Sequence, residues 1–214
     1  MKNLGKNHKW QSDSGRSLIE TLLVIAIASL LAAVTLPQII SARRLIRSAA
    51  LPREIATQLR YARQQAMSQR QAFTFVYDNS NKTISIIDHQ ATGPGIVSAS
   101  GYPNTTGSNT VLTVPLTGSG GLDSADLIFG VPSTITNTTL GDTSTPTALV
   151  LTRLTITFQP DGTVVDTNGN PVNRTLFFYN NQAPNETACA ISVLGAAGRV
   201  KIWRYNQSAS QFAE

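Results

Sequence analysis

The chain has 214 residues, with 17 Lys and Arg against 12 Asp and Glu, giving a net charge of +5. Apolar residues make up 41%, enough for a core, which excludes a disordered chain, and only 14% are charged, against roughly 25% in an average soluble protein. The single cysteine, Cys189, excludes an internal disulfide and a cysteine-cluster zinc site.

The charge is unevenly placed. Residues 1–15 carry +2, residues 16–72 carry +6, and residues 73–214 carry −3. A basic balance confined to the first third is no argument for a nucleic-acid-binding protein.

The first element is an uncharged run of 22 residues from Thr21 to Ala42. About 20 such residues cross the hydrocarbon core as a helix. A cleaved secretory signal would be shorter, and the run's A-x-A, Ala26-Ile27-Ala28, lies well inside it. Glu20 sits just within the apolar stretch that opens at Leu18. A carboxylate there is costly without a partner, which makes it a functional candidate. Pro37 falls late in the run, where a helical proline removes a hydrogen bond and predicts a kink.

Helical spacing continues to Ala72. Ile55, Leu59, Ala62 and Ala66 form one apolar stripe, and Arg53, Arg60, Arg63 and Arg70 lie off it. Pro52 predicts an interruption or bend near residues 48–51.

Strand patterns follow. Phe73–Tyr77 and Thr83–Asp88 flank an Asn-Ser-Asn turn and read as a hairpin. Further strands are expected at Leu149–Phe158, Thr163–Asp166, Arg174–Tyr179, Ala188–Leu194 and Arg199–Tyr205. Turn signals at Pro160-Asp161-Gly162 and Asn168-Gly169-Asn170 bracket the second of these. Residues 90–147 contain no Lys or Arg and are rich in Thr, Ser, Gly and Asn. They read as a surface insertion with long loops and short strands at Val111–Leu116 and Leu127–Phe129. The expected fold is α+β: one long helix, membrane-spanning then amphipathic, packed on an antiparallel head of about seven strands.

Catalytic signatures are missing from the sequence: there is no H-E-x-x-H, G-x-S-x-G, S-x-x-K, Walker A or G-x-G-x-x-G. No enzyme activity, cofactor or metal site is expected. His89 reads as a surface histidine, Cys189 as a buried small residue, and Asp161 and Asp166 as turn residues with too few carboxylates nearby for calcium. In the last long strand, alternation puts Val200 and Ile202 on one side and Arg199, Lys201, Trp203 and Tyr205 on the other. Cations interleaved with aromatic rings suit nucleic acid, since cations track phosphates and rings stack on bases. The same residues equally suit the edge of a sheet or a protein contact.

Gly15-Arg16-Ser17-Leu18-Ile19-Glu20 resembles the type III signal of type IV pilins and pseudopilins. The resemblance implies that prepilin peptidase removes residues 1–15 by cutting between Gly15 and Arg16, and that Arg16 becomes the N-methylated first residue. It makes Glu20 the assembly residue that pairs with a neighbouring subunit's N-terminal amine, and it sets Pro37 at the usual kink. Arg16 departs from the apolar residue usual at that position. Leu59–Met67, Phe158-Gln159-Pro160-Asp161-Gly162-Thr163 and Gly198-Arg199-Val200-Lys201-Ile202 resemble the GspH/FimT group of minor pilins and pseudopilins. Residues 16–42 would then be the transmembrane assembly helix, 43–72 the amphipathic helix and 73–214 a periplasmic head. The implied function is a non-enzymatic subunit of a type IV pilus or type II secretion pseudopilus, in its priming or tip complex. Its partners would be other pilins or pseudopilins, prepilin peptidase and the bacterial inner membrane, crossed once. For the arginines the resemblance adds pairing between filament subunits as an alternative to a solvated or headgroup-facing surface. The alternative function is DNA uptake through Gly198-Arg199-Val200-Lys201, because some members bind DNA through a terminal G-R-x-R. Lys201 keeps the charge of the second arginine and loses its bidentate fork.

Overall fold

The uncharged run and the stripe after it form one helix, α1 (Leu18–Gln69), in the computed structural model, which describes residues 17–90, 109–118, 123–166 and 168–214. The chain divides into two compact units, Met1–Ala42 and Arg43–Glu214. In the first, Leu18–Leu36 is long and apolar enough to cross a membrane, and none of it is buried. Its hydroxyls are satisfied within the helix: Thr21 Oγ1 donates to the Leu18 carbonyl at 2.9 Å, Ser29 Oγ to Ile25 at 2.8 Å and Thr35 Oγ1 to Leu31 at 3.0 Å. In a bilayer these residues would present no unpaired hydroxyl to hydrocarbon.

In the second unit, α1 runs through Pro52 without interruption. The interruption expected there as one of two outcomes does not occur. Pro52 is itself buried, beside Leu51, Ile55, Ala56 and Leu59. Packing of this face outweighs the roughly 3 kcal/mol that an internal proline costs.

The strands are β1 (Phe73–Asp78), β2 (Thr83–Asp88), β3 (Asn109–Pro115), β4 (Leu127–Phe129), β5 (Arg153–Phe158) and β6 (Arg174–Asn180). A short α2 (Pro184–Thr187) precedes β7 (Cys189–Leu194), β8 (Arg199–Asn206) and β9 (Gln211–Ala213). They form two antiparallel sheets, ordered β3-β2-β1-β5 and β4-β6-β7-β8-β9. The fold class is α+β, as the sequence implied.

One core joins the elements. Ile55, Leu59, Ala62 and Ala66 of α1 pack with Phe73, Phe75, Tyr77, Ile156 and Phe158 of the first sheet. Leu176, Phe178, Cys189, Ile191, Val193 and Val200 join them from the second. Period-2 alternation sends the intervening residues of the second sheet to its other face. There Phe177, Ala190, Trp203 and Phe212 form a second cluster with Ile135 and Leu140.

Two strand expectations change and one strand is new. Leu149–Phe158 shortens to β5, because Leu151 and Thr152 adopt positive φ (50° and 64°) in a turn between Val150 and Arg153. Thr163–Asp166 makes isolated bridges at Val164 and Val165. β9 was not anticipated.

Candidate assembly site

Two regions hold the sequence-derived candidates. Gly15 and Arg16 lie outside the described residues. Glu20 is exposed in the first turn of α1, where its amide and that of Thr21 bond the Ser17 carbonyl at 2.9 and 3.2 Å. A carboxylate in the first turn complements the unsatisfied amides and positive dipole end of a helix. It is the one acidic residue between Leu18 and Gln38. Pro37 falls within α1.

The other candidates share β8. Val200 is buried in the main core and Ile202 packs against it, as alternation required. The opposite face offers no open platform. Trp203 is 5% exposed, and its Nε1 donates to Ser192 Oγ at 2.9 Å. Lys201 Nζ pairs with Glu214 Oε2 at 2.6 Å and lies 5.0 Å from the Trp203 ring centroid. Tyr205 is half-buried with its ring 5.3 Å from Phe212. Arg199 is exposed. The expected row of stackable rings is thus corrected: Trp203 is a core residue and the nearest cation is already paired.

What covers Trp203 is the chain from Gly130 to Thr147, expected as surface loops. It crosses the second sheet as an irregular strap. Ile135 and Leu140 are buried in it. At Gly141 a side chain would begin 3.1 Å from the Trp203 ring. Asp142 Oδ2 accepts from Ser192 Oγ at 2.5 Å, so strap, β7 and β8 join through Asp142, Ser192 and Trp203. Burial pushes the Asp142 carboxyl up, but the Ser192 hydroxyl, the Ser144 amide and nearby Lys201 outweigh it and hold it below the ordinary carboxylate range. Thr147 closes the strap on β6, with its amide on the Thr175 carbonyl at 3.0 Å.

The remaining motif residues converge elsewhere. Arg63 of α1 donates from Nε to the Gly162 carbonyl at 3.4 Å. Gly198 packs on the same carbonyl and on Arg63. Leu59–Met67, the Pro160-Asp161-Gly162 turn and Gly198-Arg199 thus meet at one junction, which sequence spacing alone did not reveal.

His89 was expected at the surface and is 2% exposed. Its Nε2 bonds Thr74 Oγ1 at 2.8 Å, and Thr74 Oγ1 bonds Thr157 Oγ1 at 2.8 Å. Burial lowers its pKa to about 4, against a smaller opposing effect of Asp88. Cys189 is buried, as expected, and its thiol is pushed up to about 12. Asp161 accepts from the Thr163 amide and hydroxyl at 2.9 and 2.7 Å, and Asp166 from the Asn168 and Asn170 amides at 2.8 and 2.9 Å. Both carboxylates are engaged by their own turns, and no group of three metal-ligating side chains occurs among the described residues.

No protein-family model matches the chain, and no curated protein does. Among solved structures it is similar to the type IV minor pilin FimU of Pseudomonas aeruginosa, at 20% identity over 78% of this chain and 92% of that one, with a TM-score of 0.42. It is also similar to the minor pseudopilin EpsH of the Vibrio cholerae type 2 secretion system, at 12% identity over 73% of this chain and 95% of that one, with a TM-score of 0.40. Likeness at this level adds no weight to a functional reading, which stands on the chain's own residues.

Proposed function

We propose that the chain is a minor pilin or pseudopilin, a non-enzymatic subunit of a type IV pilus or type II secretion pseudopilus. The observation that carries this reading is Glu20 in the first turn of an apolar α1 whose later stripe packs beneath an antiparallel head. Prepilin peptidase cuts between Gly15 and Arg16 on the cytoplasmic side, and Arg16 is the methylated N-terminus. The span holds the precursor in the inner membrane, with the head in the periplasm. During assembly Glu20 leaves its exposed position to pair with a neighbouring subunit's amine, so its desolvation is compensated only in the filament. Pro37 bends the helix to fit that packing. The strand of Arg199, Lys201, Trp203 and Tyr205 serves the head's stability, and DNA uptake is not part of the proposal.

Incorporation tests this reading. The full chain is expressed with its partner pilins, and sheared filaments or crosslinked membrane complexes are probed for it. Glu20→Ala should lower incorporation at least several-fold while membrane levels hold. Equal incorporation of the variant would overturn the role given to Glu20.

A further inference from the structure

The second unit leaves few large apolar side chains in solvent. Beyond Ile46, those exposed among the described residues are Met67, Val111, Val150 and Leu151. Two of the four are adjacent, at the tip of the turn that opens β5. Leu151 is 84% exposed and Val150 51%.

The turn is built to present them. Val150 and Arg153 exchange both backbone hydrogen bonds, at 2.8 and 2.9 Å. Leu151 and Thr152 between them both have positive φ, the geometry for which Asn-Gly is favoured. A β-branched threonine there is a genuine outlier. Such conformations persist when surrounding contacts hold them, and they cluster at functional positions. Here Arg153 Nε pairs with Asp78 at 3.3 Å, and the Asn79 amide bonds the Thr152 carbonyl at 3.0 Å.

The tip lies at a defined end of the unit. Asn180 at the end of β6 donates from Nδ2 to Ser48 Oγ of α1 at 2.9 Å. Asn180 pairs across with Leu127, and Phe129 of the same strand stacks on Tyr77 at 5.7 Å. Tyr77 and Asp78 pair with Leu154 and Arg153. The tip therefore shares an end with Ser48, whereas Arg63 and Met67 meet Gly162 at the other. Near Ser48, Arg43 and Arg47 are exposed one helical turn apart. Short chain connects Arg43 to the end of the apolar span at Leu36.

We propose that this end is a membrane-docking surface: Leu151 and Val150 enter the headgroup–acyl boundary of the anionic bilayer that anchors the chain, while Arg43 and Arg47 bind lipid phosphates. Charge complementarity selects the occupant, since apolar side chains that share an end with two exposed arginines suit an interface that is apolar below and anionic above. Arginine binds phosphate with a bidentate fork. The docked head would be a resting state that assembly must release. The inference rests on the membrane-anchored reading above.

The test uses the full chain in nanodiscs, without partner pilins, and lipids brominated near the headgroup. A fluorophore is placed at Leu151→Cys, at the remote turn residue Asn168→Cys, or in the span at Ile27→Cys. Buried Cys189 stays unlabelled. With phosphatidylglycerol present, quenching at 151 should exceed that at 168 by about twofold or more. It should fall in phosphatidylcholine alone and in Arg43→Gln/Arg47→Gln. Equal quenching at 151 and 168, or quenching at 151 indifferent to both lipid charge and arginines, would overturn the proposal. Absence of quenching at 27 would overturn the anchoring reading and this inference together. Leu151→Asn/Thr152→Gly, which suits the turn better, guards against misfolding: it should stabilise the head and reduce quenching of a fluorophore at Val150→Cys. Unchanged quenching there would count against the docking role.

Discussion

Gly198 packs against the Gly162 carbonyl so closely that no side chain fits at position 198. Arg63 fills the remaining space and donates to that carbonyl. One helix residue and two glycines in separate turns thereby tie α1, the turn after β5 and the start of β8 together. This accounts for the glycine and arginine of these segments without invoking a ligand. Gly198 also has φ +58°, where a side chain is strained.

Gly198→Ala should cost about 2–4 kcal/mol through overpacking and backbone strain. Denaturant unfolding of Arg43–Glu214 measures it. A loss below about 0.5 kcal/mol would mean that the junction relaxes freely and is not a point of close packing.

Trp203→Ala should remove the ring on which Gly141 and Leu140 rest, at a cost of about 3–5 kcal/mol. The strap should then open to protease between Gly130 and Thr147 ahead of the sheets. Unaltered proteolysis with unaltered stability would show that the strap is held by other contacts.

Much of this architecture was legible in the sequence. The uncharged run, the Ile55–Ala66 stripe and the alternating strands β6, β7 and β8 are strong periodic signals. The strap was not legible, because it buries Ile135 and Leu140 with no period and almost no backbone ladder. Trp203 consequently looked like a surface ring: alternation places a side chain on a face but cannot say what covers that face. Leu151 and Thr152 read as strand because β-branched and aliphatic residues favour it, whereas tertiary contacts hold them in a turn. Pro52 misled for the same reason. Glu20 stands out as a candidate because a lone carboxylate in an apolar run needs an explanation, and its place in the first turn of α1 follows from the same run.

His89 makes stability depend on pH. Its folded pKa, about 4, lies below the ordinary 6.5. Above pH 6.5 both folded and unfolded chains hold it neutral, and nothing is lost. Between 6.5 and 4 the unfolded chain takes up a proton that the folded head refuses. Stability therefore falls as pH drops through this window, by roughly 3 kcal/mol in all. Urea unfolding from pH 7.5 to 4 should follow that slope, and His89→Gln should flatten it. Parallel profiles for the two proteins would refute the assignment.

A pilin subunit requires processing at Gly15 and insertion through the helix that carries Glu20. Mass spectrometry of the N-terminus of the chain, isolated from membranes of cells that contain prepilin peptidase, tests this directly. The predicted result is a chain that begins at Arg16 with a methylated amine. An intact Met1, or a cut between Ala26 and Ala42, would contradict the pilin reading.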